Sequence, residues 1–196
     1  MKSISKQTGI TLIEMMIAMV LGLIVTGSII AIFVSNVKST SENVKMLHLN
    51  QELRVVMGFI SNEIKRAGYS GDPTNTAFMT DFNYDAGNNC IRYSYDADGD
   101  GIQDANERFG FRLTANTIQW SSDVTSGTCT NGIWQSLTDT STASITAFTI
   151  VSSDIASGTV TIKQLDVTLI GEIALNPGTA SRTITETIRV RNEDAS

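Results

Sequence analysis

Thr8-Gly9-Ile10-Thr11-Leu12-Ile13-Glu14-Met15-Met16 joins a short basic leader to an apolar run with a single carboxylate at its start. From Met15 to Val34 no residue is charged. Twenty helical residues at about 1.5 Å each span roughly 30 Å, the thickness of a bilayer's hydrocarbon core. A secretory signal peptide is the rival reading, but its apolar core is about 7–15 residues long and is followed by a small-residue cleavage site. Here the run is longer, and no convincing site of that kind follows it. Lys2 and Lys6 precede the run, which by the positive-inside rule leaves the N-terminus cytoplasmic and everything after about residue 35 across the membrane.

Glu14 is costly in that setting. A carboxylate within a membrane helix costs on the order of 2.5–3.5 kcal/mol on insertion scales. Either it lies near the helix end and reaches the headgroups, or it has a partner. A cut between Gly9 and Ile10 makes such a partner, because the new α-amino group of Ile10 is a cation that can pair with Glu14 of a neighbouring subunit.

Gly9-Ile10-Thr11-Leu12-Ile13-Glu14 followed by an uninterrupted apolar helix resembles the processing site of type IV pilins and type II secretion pseudopilins. The resemblance implies a membrane peptidase that cuts after Gly9 and methylates Ile10, and a role for Glu14 in subunit addition. Ile10 stands where that superfamily usually has Phe. Two further stretches narrow the resemblance. Arg66-Ala67-Gly68-Tyr69-Ser70-Gly71 looks like the helix end of PilW-type minor pilins, and Thr187-Ile188-Arg189-Val190-Arg191-Asn192 is similar to their last strand. The family implies prepilin peptidase as processing partner, and other minor pilins and the major pilin as assembly partners. It also implies a route from the bacterial inner membrane, with the head periplasmic, to a pilus at the cell surface.

The 196-residue chain has a net charge of −6. Residues 69–196 carry 7 Lys and Arg against 16 Asp and Glu, a balance of −9. That head offers no basic stripe for phosphates, which argues against direct nucleic-acid binding. One histidine, His48, lies outside the head, and there is no nucleophile elbow or phosphate loop, so an enzyme is not expected. Cys90 and Cys129 are the only cysteines. In an exported domain the pair reads as a disulfide, the alternative being two buried thiols.

No proline occurs before Pro73, so a helix can run from about Ile10 to Ala67. Val44, Leu47, Leu49, Leu53, Val56, Phe59, Ile60, Ile64 and Ala67 make an amphipathic stripe, and Lys45, Glu52, Asn62, Glu63 and Lys65 lie largely off it. The helix should end near Gly68 with Lys65 and Arg66 in its last turn. Strands are expected at Ile91–Tyr95, Phe109–Leu113, Thr117–Trp120, Ile145–Val151, Thr159–Gln164, Asp166–Ile173 and Thr183–Arg191, with a turn at Asn116 and loops at 72–88, 121–142 and 174–181. The expected fold is α+β, type IV pilin-like: one long N-terminal helix packed on an antiparallel sheet. Its parts are a leader (1–9), a transmembrane and assembly helix (10–35), an amphipathic helix (36–68) and a β-rich head (69–196).

Asp96-Ala97-Asp98-Gly99-Asp100-Gly101-Ile102-Gln103-Asp104-Ala105-Asn106-Glu107 matches the twelve-residue calcium loop of the EF-hand. Asp96, Asp98, Asp100, Asp104 and Glu107 supply side-chain oxygens, Ile102 a carbonyl, and Gly101 the sharp turn. The alternative is a solvated acidic turn. Gln103 stands where the EF-hand has an apolar residue, and the flanks read as strands rather than helices, which bears most on the bidentate role of Glu107. Extracellular sites as weak as about 10⁻⁴–10⁻³ M are functional, so the expected Ca²⁺ is a structural staple of the head.

Overall fold

The computed structural model describes residues 9–124, 129–157 and 160–190. Lys2 and Lys6 of the leader, Thr159 of one expected strand, and Arg191 and Asn192 of the last stretch lie outside them. The architecture is α+β, with one long N-terminal helix and antiparallel sheets.

Helix α1 (Leu12–Ile64) is unbroken for 53 residues. By chain contacts the protein divides into two compact units, one ending at Val44 and the other Lys45–Ser196. In the first, every residue of α1 up to Val34 is exposed, as a helix that meets lipid or other helices would be. Two hydroxyls in this stretch are satisfied internally: Thr26 and Ser28 donate to the carbonyls of Gly22 (2.8 Å) and Ile24 (2.9 Å). Back-bonding of this kind removes the cost of a bare hydroxyl in an apolar medium.

In the second unit α1 buries Leu49, Leu53, Val56, Met57, Ile60 and Ile64. Val44 and Leu47, expected on the same stripe, are exposed, because the stripe begins to meet the sheets only at Leu49. The helix ends at Ile64 rather than near Ala67, so Lys65 and Arg66 follow its last turn instead of forming it. Tighter i to i+3 bonds, Arg66 N–H to Glu63 O (3.0 Å) and Ala67 N–H to Ile64 O (3.1 Å), then lead to Gly68. Gly68 takes a positive φ of 77° and donates its N–H to Ser94 O at 2.8 Å, which starts the turn into the head.

The head then runs through α2 (Ala77–Thr80), β1 (Asn83–Asp85), β2 (Cys90–Ser94), a 3-10 turn (Ala105–Glu107), β3 (Arg108–Thr114), β4 (Thr117–Ser121) and β5 (Gln135–Ser136). There follow β6 (Ser144–Ser152), β7 (Ile155–Ser157), β8 (Val160–Ile162), β9 (Gln164–Ala174) and β10 (Thr179–Arg189). One antiparallel sheet has the order β1-β2-β3-β4-β5, a second β10-β9-β6, and β7-β8 is a separate ribbon. Residues 72–88 and 121–142, expected as loops, contain α2, β1 and β5, and β10 begins at Thr179 inside the third expected loop. The β3–β4 hairpin turns on Ala115 and Asn116, both with positive φ (47° and 61°), as a two-residue turn of the right twist demands.

Both sheets meet α1 in one core. Phe59 sets its ring edge-on to Phe111 (5.6 Å) and Trp120 (5.8 Å) of the five-stranded sheet. Leu49 and Leu53 lie over Gly171 of β9, where a Cβ would come within 3.0–3.1 Å of their methyl carbons. Strand β9 alternates strictly between buried and half-buried residues from Gln164 to Ile173, the pattern of a sheet with one face on the core.

Candidate functional site

The N-terminal site is presented at the start of α1. Gly9 has nothing within 4 Å of where a Cβ would sit, and Ile10 is exposed, so the Gly9–Ile10 bond is open to a peptidase. The helix is nucleated at Thr11, whose carbonyl accepts the Glu14 and Met15 N–H groups at 3.1 and 3.2 Å. Glu14 therefore sits in the first turn, where the helix macrodipole favours a negative charge. Among the described residues no cation pairs with it.

The acidic loop links β2 to β3. Asp96 is buried and its carboxylate is ringed by backbone donors: Gly99 N–H to Oδ1 at 2.6 Å, and Gly71 and Gly101 N–H to Oδ2 at 2.8 and 2.9 Å. Burial opposes its ionisation, but the N–H groups of Gly71, Gly101, Gly99 and Asp100 together outweigh that and hold the carboxyl below the usual range. Glu107 is also buried. It lies in the 3-10 turn ahead of β3, where a capping box formed with Asp104 fixes its position. Its Oε1 accepts the Ala97 N–H (2.6 Å) and its Oε2 the Asp104 N–H (3.0 Å).

Oxygens of Asp96, Asp98 and Glu107 lie within 4.8 Å of one another, and so do those of Asp98, Asp100 and Asp104. Asp98 belongs to both groups, so the five carboxylates form one continuous cluster. Ile102 exposes its side chain and donates its N–H to Asp100 Oδ1 at 2.7 Å. Gly101 takes the expected turn with φ 76°. Gln103, the departure from the EF-hand pattern, is drawn inward by bonds to Ser94 Oγ (2.7 Å) and Arg108 (3.3 Å).

Partners the loop pattern does not announce come from the segment after α1. Besides Gly71, Asn75 donates its amide to Gly101 O at 2.7 Å. These contacts span some 25 positions of sequence, and no local signal marks them. The second omission is Glu63. Expected off the apolar stripe, it is 8 % exposed, and its Oε2 accepts the hydroxyls of Tyr93 (3.3 Å) and Tyr95 (3.2 Å). Its place between Ile60 and Ile64 was the only hint.

Cys90 and Cys129 form a disulfide with Cα atoms 6.3 Å apart. It ties β2 to the segment before Trp134, and Arg112 seals that junction by bonding Cys129 O (2.9 Å) and lying 4.2 Å over the Trp134 ring.

Two family models match the chain. The family described as prepilin peptidase-dependent protein B covers residues 42–190, and the prokaryotic N-terminal methylation motif covers residues 4–34. Both describe pilin-type structural proteins rather than enzymes. No curated protein and no solved structure matches it.

Proposed function

Since the chain belongs to the prepilin peptidase-dependent protein B family, and so to the type IV pilin-like proteins, we propose that it is a minor pilin of the PilW type that primes or caps a type IV pilus. The observation that carries this reading is Glu14. It is the only charged residue between Ile10 and Val34, at the head of a helix whose apolar residues up to Val34 are all exposed. Cleavage after Gly9 frees the Ile10 α-amino group. In an assembly the carboxylate of one subunit neutralises the terminus of another, and the desolvation cost of each is relieved by the other. The peptidase and methylase act on Gly9 and Ile10, and other minor pilins and the major pilin pack on the apolar helix. The protein sits first in the inner membrane with its head periplasmic, then at the cell surface. A type II secretion pseudopilin or a tip adhesin would share this chemistry; the Arg66–Gly71 stretch favours the pilus.

Mass spectrometry of the mature protein gives an N-terminus at Ile10, methylated. Glu14→Ala leaves that cut intact but keeps the subunit out of sheared filaments. An intact Met1, a cut after residue 30, or normal incorporation of the variant rejects the reading.

The loop Asp96–Glu107 belongs to the same proposal as a structural Ca²⁺ site. The donor set is all oxygen, which suits a hard cation. A carboxylate has about four acceptor positions, so Glu107, with two N–H bonds, keeps capacity. Asp96, Asp98, Asp100, Asp104, Glu107 and the Ile102 carbonyl would hold the ion, which would fasten the loop to the end of α1. Calorimetry of the detergent-solubilised mature protein with calcium shows one site, lost in Asp98→Ala/Asp100→Ala. Heat unchanged by that double substitution removes the site assignment.

A further inference from the structure

Strand β10 ends the three-stranded sheet, and among the described residues no strand pairs with its outer side. All eleven residues, Thr179 to Arg189, pair with β9 in unbroken register, without a bulge. The strand contains no proline and no lysine. Edges are ordinarily blunted by bulges, proline, lysine or short length, and a long regular edge is a template for another strand. Its inward residue Ile184 is only half-buried although it packs on the core, so an added strand would complete its cover.

Charge singles out the same edge. The balance of residues 69–196 is −9, yet β10 carries Arg182 and Arg189, both exposed and, among the described residues, without an ion pair. The other described cations of the head are engaged: Arg92 and Arg108 with Asp81, Arg112 over Trp134, and Lys163 with a partner of its own.

Charge also limits the partner. A second copy would bring its own Arg182 and Arg189 to this edge, like charge against like, whereas an acidic segment complements them.

We infer that the outer edge of β10 takes an acidic extended segment of a different polypeptide as an added antiparallel strand. Backbone bonds would supply most of the attachment, and carboxylates seven residues apart, on opposite faces of the incoming strand, would stand across from Arg182 and Arg189.

The full mature protein in detergent micelles is titrated with two labelled eleven-residue Thr/Val peptides, one with Glu seven residues apart and one with Lys in those places. The acidic peptide binds about tenfold or more tightly than the basic one, and Arg182→Glu/Arg189→Glu reverses the preference. Hydrogen exchange slows at β10 amides on binding. Equal binding of the two peptides, a preference untouched by the double substitution, or protection that falls elsewhere overturns the inference. A homodimer whose β10 amides are already protected without peptide overturns the choice of partner. The N-terminus found at Ile10 or elsewhere leaves this readout unaffected, so the two readings fail separately.

Discussion

Glu63 lies on α1 beneath the aromatic cluster, and both of its oxygens are used. Oε1 meets Arg66 at 3.3 Å while Oε2 takes the Tyr93 and Tyr95 hydroxyls, and Trp120 donates in turn to the Tyr93 oxygen at 3.2 Å. Burial, reinforced by the Glu63 charge, pushes both phenols above their usual value, with Trp120 opposing the shift at Tyr93 and Arg66 opposing it at Tyr95. A phenol raised in the folded state adds stability that is complete below its unfolded value of about 10 and is lost as pH climbs through the raised value. Alkaline difference spectroscopy should therefore show phenolate from Tyr93 and Tyr95 only together with loss of near-ultraviolet circular dichroism. Glu63→Ala leaves two buried hydroxyls short of an acceptor and costs about 1–3 kcal/mol in urea unfolding. Glu63→Gln keeps an acceptor oxygen and costs less. Equal stability of the wild type and Glu63→Ala would show that the network contributes nothing.

Between elements, α1 approaches β9 closely at Gly171. A methyl there meets Leu49 and Leu53 at 3.0–3.1 Å, inside ordinary contact distance, so Gly171→Ala overpacks the junction by about 1–3 kcal/mol. Leu53→Ala removes buried volume at a cost of about 2–5 kcal/mol. Combined, the two substitutions cost less than their sum, because the added methyl enters space the leucine vacated. Additive losses in a denaturation double-mutant cycle would place the two residues out of contact. This junction was half legible beforehand. The alternation of Leu165, Val167, Leu169 and Ile173 marks β9 in the sequence, and Asn116 marks the β3–β4 turn. Strands β1 and β5 and helix α2 gave no such signal, being only two to four residues long and held by pairing and packing rather than pattern. The same division applies to the acidic loop. The spacing of Asp96 to Glu107 is local and readable, whereas its closure by Gly71 and Asn75 depends on where α1 ends. Glu63 is expected off the apolar stripe because a charge is ordinarily assigned to solvent, and only the tertiary pairing with two tyrosines reverses that.

At the scale of the molecule, one helix serves two media. Up to Val44 its residues contribute nothing to the head's core, and the first fully buried side chain is Leu49. The unit Lys45–Ser196 already contains every residue of that core. A chain beginning at Lys45 should therefore be soluble without detergent and unfold cooperatively in urea, with near-ultraviolet circular dichroism like that of the full chain. Retained exposed apolar helix is what makes the full chain need detergent. A chain beginning at Val56 is different. It lacks Leu49 and Leu53, whose burial is worth about 1.5–3 kcal/mol each, and uncovers Gly171 and the inner face of β9. Against a net stability of about 5–15 kcal/mol for a domain, that loss together with the newly exposed sheet leaves the shorter chain unfolded or molten, with flattened near-ultraviolet bands and a non-cooperative urea curve. If instead the Lys45 chain failed to fold, the apolar half of α1 would have to support the head as well as anchor it, and the separation of the two roles along the helix would be wrong.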